Sequence, residues 1–216
     1  DAAAAIARVR TSTDVAAFGE AQLIVEAATE NIELKYRIFE GLSRDVVLKS
    51  TELGLARLRR DSVDLLYLHA PDRRVPLTET LGAVKELVDS GRVRHFGMSN
   101  YAAWETLEAC LACDALGLER PRVVQMLANL AIRQVELEFT SFAAKYGLHH
   151  TAYNPLAGGL FARRPSPGDA PPPGSRFTFM AGRYVNRYWT GRLISFASAL
   201  HELARAHGTT AVHEAP

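Results

Sequence analysis

The chain has 216 residues, 48% of them hydrophobic and 23% charged, and a formal net charge of +1. That length can bury a substantial core, and the near-neutral balance excludes the basic footprint of a nucleic-acid or anionic-membrane binder. No apolar run reaches the ~20 residues of a membrane span, and Asp1–Ile6 lacks the basic region that opens a signal peptide. The two cysteines, Cys110 and Cys113, come with no extracellular cue, so reduced thiols in a cytoplasmic protein are expected.

In chain order, Gln22–Glu26 reads as a buried strand, and Glu30–Leu42 as a helix with an apolar stripe at Ile32, Leu34, Ile38, Phe39 and Leu42. Val46–Leu48 reads as a second short strand. Ser50 or Thr51 is then expected to cap a helix carrying Leu53, Leu55 and Leu58. From Val63 the pattern becomes regular. Strands are predicted at Val63–Leu68, Val93–Met98, Val123–Met126 and Leu148–Tyr153. Between them lie helices starting at a Thr78 cap, at Trp104 and at Val135, stopped by Gly91, Gly117 and Gly147. Equivalent points Leu65, Arg94, Val123 and His149 are 29, 29 and 26 residues apart. A repeated strand–helix unit of that size means parallel strands joined by right-handed crossovers. Beyond Tyr153, Arg163–Gly174 holds five prolines and is expected to be an irregular loop. The aromatic stretch from Phe177 to Trp189 is read either as a lid or as a patch on the core. Ile194–Ala206 is a last amphipathic helix.

Ligands of parallel α/β folds meet the C-terminal ends of the strands. Those ends present His69, then Ser99 and Asn100, then Gln125 with Asn129 beyond it, then Tyr153 and Asn154. A single strand-end histidine is commonly a hydrogen-bonded structural group. Polar groups at equivalent positions of four successive units are better explained by a site. After the last of these strands, Gly158 and Gly159 would let backbone amides approach a phosphate closely, a plain turn being the competing reading.

Three motifs stand in order at this spacing: Leu66–Asp72 (LYLHAPD), Gly97–Tyr101 (GMSNY) and Ala152–Leu160 (AYNPLAGGL). They resemble the aldo-keto reductases, most nearly the aflatoxin aldehyde and succinic semialdehyde reductase subgroup, over roughly Asp61–Gly208. The resemblance implies a (β/α)8 TIM barrel, here partial with four to six parallel strands, that reduces small aldehydes and ketones with NADPH. It implies His69 as the active-site histidine orienting the carbonyl. Ser99, Asn100 and Gln125 would hold the nicotinamide carboxamide, and Tyr153 would stack on the nicotinamide ring. Asn154, Pro155, Leu156, Ala157, Gly158, Gly159 and Leu160 would wrap the pyrophosphate. Arg187 is implied for an acidic substrate end; where the subgroup often carries another arginine, this chain has Val185.

The family's reaction also needs a tyrosine acid, a lysine and an aspartate from the first strands of its barrel. Before His69 the tyrosine weighed for the acid is Tyr36, within a helical pattern. Lys49 stands one residue before the position the resemblance gives the lysine, which Ser50 occupies; a surface lysine is the competing reading. The region of residues 1–45 is similar instead to a strand–helix piece of 3-hydroxyacyl-CoA dehydrogenases, on Leu23–Asn31 with Lys35 and Phe39. The glycine-rich turn of that family is missing, so the piece alone cannot hold a pyrophosphate. Two regions are expected: a dehydrogenase-like fragment at 1–45 and an incomplete reductase barrel at 46–216. Such a barrel leaves sheet edges to be paired in a homodimer or left open. The expected function is impaired NADPH-dependent carbonyl reduction. The alternatives are a non-catalytic nucleotide-binding or interaction module, and a chimeric product without activity of its own. Cys110 and Cys113 are read as a semi-buried helix face, and no metal site is expected.

Overall fold

The computed structural model describes residues 41–179 and 181–215. These form two compact units, one of residues 41–96 and 107–121, the other of residues 97–106 and 122–215. The expected strand at Gln22–Glu26 and helix at Glu30–Leu42 fall almost entirely outside the described residues, and so does Tyr36.

The first unit opens with helix α1 (Arg44–Leu58), which buries Val47, Thr51 and Leu55 at a spacing of four. The chain at Val46–Leu48 is therefore helix, not the expected strand. Its β-branched pair suggested a strand, but burial follows the helical period. Thr51 and Ser50, expected as caps, instead donate their hydroxyls back to the Val47 carbonyl at 2.8 and 3.2 Å. Lys49 accordingly sits inside a helix, not at a strand end. Arg59 closes α1 in the left-handed region (φ 51°), with Arg60 N–H on the Leu55 carbonyl.

Strand β1 (Val63–Leu68) follows, then helix α2 (Leu77–Asp89), whose buried face is Thr80, Leu81, Ala83, Val84 and Leu87. Thr78 does not cap α2. The cap position is Pro76, and no side chain closes that end. α1 packs on α2, and the entry to α1 is pinned on both sides. Thr80 Oγ1 donates to the Leu42 carbonyl (2.7 Å), while Leu42 N–H donates to Asp72 Oδ2 (3.1 Å).

Strand β2 (Val93–Ser99) begins in the first unit, where Val63 N–H reaches the Arg92 carbonyl. Helix α3 (Ala103–Leu116) then buries Ala109, Cys110 and Cys113 completely. The cysteine face is thus core, deeper than the semi-buried face expected. Burial raises both thiol pKa values, that of Cys113 to about 12.

The second unit contains the end of β2, strand β3 (Val123–Leu127) and strand β4 (His149–Tyr153). β2–β3 and β3–β4 pair in parallel, and the sheet order is β1-β2-β3-β4. Sequential neighbours with intervening helices are the signature of consecutive β/α units. The single helix expected over Val135–Tyr146 is two pieces, a 3₁₀ turn at Gln134–Glu136 and helix α4 (Phe139–Lys145). The break falls at Leu137 and Glu138, and Leu137 is 87% exposed, so the apolar stripe does not continue through it.

After β4 come a 3₁₀ turn at Ala157–Gly159, the proline-rich loop, and helices α5 (Arg176–Phe179), α6 (Ala181–Tyr188), α7 (Gly191–Ala206) and α8 (Ala211–Glu214). Thr190 caps α7, its hydroxyl accepting from Leu193 N–H. Phe177 and Tyr188 are fully buried with Ala157, Leu160, Phe161, Ile194 and Ala197. The aromatic stretch is therefore largely core, although Phe179 is exposed. Among the described residues no helix is long and apolar enough to cross a membrane.

Candidate cofactor site

The second unit brings the expected cofactor residues together at the C-terminal ends of its strands. Ser99 is in register with Gln125, and Gln125 with Thr151. Side chains on one rung of a parallel sheet share a face, and Tyr153, two residues beyond Thr151, shares it too. Asn100 follows β2 in the left-handed region (φ 63°), a conformation asparagine tolerates better than most residues. There its N–H donates to the Gln125 carbonyl (3.2 Å) and its Nδ2 to Ser99 Oγ (3.0 Å). The Tyr153 hydroxyl donates to Asn100 Oδ1 at 2.8 Å. Ser99 is buried, while Asn100, Gln125 and Tyr153 are half-buried. The result is a tied group of amide donors and acceptors beside a partly accessible ring.

The turn after β4 is tightly wound. Asn154, Ala157, Gly158 and Gly159 all have positive φ (61°, 49°, 71° and 100°). Its amides bond within the turn: Ala157 N–H to the Asn154 carbonyl, Gly158 N–H to Asn154 Oδ1 (2.6 Å) and Gly159 N–H to the Leu156 carbonyl. Leu160 N–H reaches the Ala157 carbonyl. Pro155 is exposed; Ala157 and Leu160 are buried. Any phosphate held here would share or replace these bonds. Arg187 is exposed at the end of α6, its guanidinium over the Tyr188 ring (5.9 Å to the centroid), and Val185 packs against the core.

His69 belongs to the first unit. It lies exposed just past β1 and lines a cavity of about 870 Å³ together with Lys49, Tyr67 and Asp72. Tyr36 is thus not the one tyrosine ahead of His69: Tyr67 precedes that histidine by two residues, on β1, and strand alternation places residues two apart on one face. Asp72 is bound by the Arg74 side chain and main-chain N–H and by Leu42 N–H, which lower its pKa to about 2 against the opposing effect of burial. Among the described residues no three His, Cys, Asp or Glu side chains gather into a metal site.

The model of the aldo/keto reductase family matches residues 22–215. The chain belongs to this family. It is 40% identical to mouse aflatoxin B1 aldehyde reductase member 2, over 74% of this chain and 46% of that protein. The human member 2 is 41% identical over 69% and 43%, and human aflatoxin B1 aldehyde reductase member 4 is 41% identical over 70% and 47%. This aldo-keto reductase chain thus spans about half the length of the curated relatives it matches. The family match runs through Leu23–Asn31, and nothing found there supports the 3-hydroxyacyl-CoA dehydrogenase reading.

Proposed function

We propose that this chain binds NADPH in the cytoplasm through Ser99, Asn100, Gln125 and Tyr153, with the turn Asn154–Leu160 at the pyrophosphate. We propose further that it reduces small aldehydes or ketones only weakly by itself. The reading is carried by the hydrogen-bonded group at the strand ends of the second unit, where Tyr153, Asn100 and Ser99 are tied in series. Bound NADPH would supply the hydride. The half-buried Tyr153 ring supports stacking against the nicotinamide, and the Asn100 and Gln125 amides suit the carboxamide, which needs both a donor and an acceptor. His69 would orient a carbonyl, and Arg187 would attract an acidic substrate end. Weak turnover rests on the reading that the family's tyrosine acid, lysine and aspartate have no counterpart in this chain, since loss of a positioned acid costs roughly 10²–10⁴-fold. The sheet edges expected from a partial barrel keep a homodimer within this reading.

Titration of the full chain with NADPH, followed by nucleotide fluorescence, tests binding. A saturable change that Tyr153→Ala abolishes is expected, and a flat titration of the wild-type chain removes the reading. Robust NADPH-dependent reduction of succinic semialdehyde by this chain alone would refute the claim of impairment.

A further inference from the structure

Helix α6 carries two tyrosines one turn apart, Tyr184 and Tyr188, and both engage the turn after β4. A Cβ built on Gly158 would stand 2.6 Å from Tyr184 Cδ1, so the ring lies directly on that backbone. Tyr188 is 0% exposed. Its hydroxyl receives Asn154 Nδ2 at 2.9 Å and Asn129 Nδ2 at 3.4 Å. Asn129 Nδ2 also donates to the Asn154 carbonyl (3.0 Å).

The orientation of both amides follows from their other partners. Asn154 Oδ1 faces Gly158 N–H, which can only donate. Asn129 Oδ1 faces the N–H groups of Ala131 and Ile132, at 2.9 and 3.0 Å. Each carbonyl oxygen is thereby fixed, and each NH₂ must point at Tyr188. The hydroxyl oxygen is the acceptor on which two loops, one after β3 and one after β4, converge. Asn154 is itself held at positive φ, and its Oδ1 sets Gly158. The link from α6 to the turn thus runs Tyr188, Asn154, Gly158.

We propose that Tyr188 is a positioning residue of the nucleotide site, which shapes the Asn154–Leu160 turn from helix α6 without touching the nucleotide. This rests on the reading that the turn holds the NADPH pyrophosphate. Tyr188→Phe keeps the ring in its pocket and removes only the acceptor, leaving two amide donors short of a partner.

In the full chain, at a temperature where circular dichroism shows every variant folded, Tyr188→Phe should weaken NADPH binding by about tenfold or more, one lost buried hydrogen-bond acceptor being of that order. Ile194→Ala, in the same core but without a bond to either loop, should melt earlier and bind NADPH as the wild type does. Equal affinity of Tyr188→Phe and wild type overturns the proposal. So does an equal loss in Ile194→Ala, which would reduce the effect to stability. If Tyr188→Phe fails to fold, Tyr188→Leu decides. It also removes the acceptor but leaves space for water at the two amides, and it should weaken NADPH binding in the same way; unchanged affinity overturns the proposal. Absence of NADPH binding by the wild-type chain is a separate result: it defeats the nucleotide reading itself, and the role of Tyr188 falls with it.

Discussion

Gly158 has two independent reasons to be glycine, and they can be separated. Its φ of 71° strains any L side chain, and the Tyr184 ring fills the space a Cβ would need. The left-handed conformation costs an alanine about 1–2 kcal/mol, and forcing a methyl against a packed ring adds roughly 1–3 kcal/mol. Gly158→Ala should therefore lower unfolding free energy by about 2–5 kcal/mol in urea titrations. In a Tyr184→Ala background the steric part disappears and about 1–2 kcal/mol should remain, a coupling a double-mutant cycle reads directly. Equal costs in both backgrounds would show that the ring yields freely. The glycine pair is legible in the sequence, but its partner is not: Tyr184 lies far along the chain, in a stretch whose pattern gave equal weight to a lid and a core patch. The same holds for Tyr188, whose contacts to Asn154 and Asn129 span 34 and 59 residues. Ser99, Asn100, Gln125 and Tyr153 are legible because a strand's end and its side-chain alternation are local properties, and parallel register then aligns neighbouring ends.

At the scale of elements, the four strands from Val63 to Tyr153 are readable because short strand-like segments recur at near-equal spacing between glycine-stopped helices. α1 is misread for a physical reason. Val46 and Val47 favour strands, and Ser50 and Thr51 favour caps, yet tertiary burial of Val47, Thr51 and Leu55 selects one continuous helix. α3 shows the opposite case. Its sequence shows two cysteines on one helical face but not their depth, which packing decides. Since Cys110 and Cys113 are fully buried and their thiols are pushed up, Cys113 to about 12, neither should react with a disulfide-exchange reagent at pH 8 while the chain is folded. Two thiols per chain should appear in denaturant. Rapid labelling of either without denaturant would mean that α3 opens readily, contrary to its place in the core.

Across the molecule, the Asp72 carboxylate ties distant parts of the first unit together. Asp72 receives Leu42 N–H from the entry to α1, and the N–H and guanidinium of Arg74 from the turn after β1, while Leu42 is also held by Thr80 of α2. Its side chain is only 10% exposed. The Arg74 side chain is the largest cause of its lowered pKa of about 2, against an ordinary carboxylate value near 3.9 in the unfolded chain. A folded-state pKa below the unfolded one means the unfolded chain binds the proton more readily. The stabilisation is therefore complete above about pH 4 and lost as the pH falls through about 2. Asp72→Asn should lower the urea midpoint at pH 7, and the gap to wild type should narrow from pH 4 downward and close near pH 2. Using the difference between the two proteins removes the contributions of carboxylates common to both, including Asp114 and Glu136, whose pKa values are also lowered by arginine partners. A gap that persists unchanged at pH 2 would assign the effect to lost side-chain geometry and not to charge. No gap at pH 7 would mean that the Leu42–Asp72–Arg74 link contributes nothing to holding the unit that carries His69.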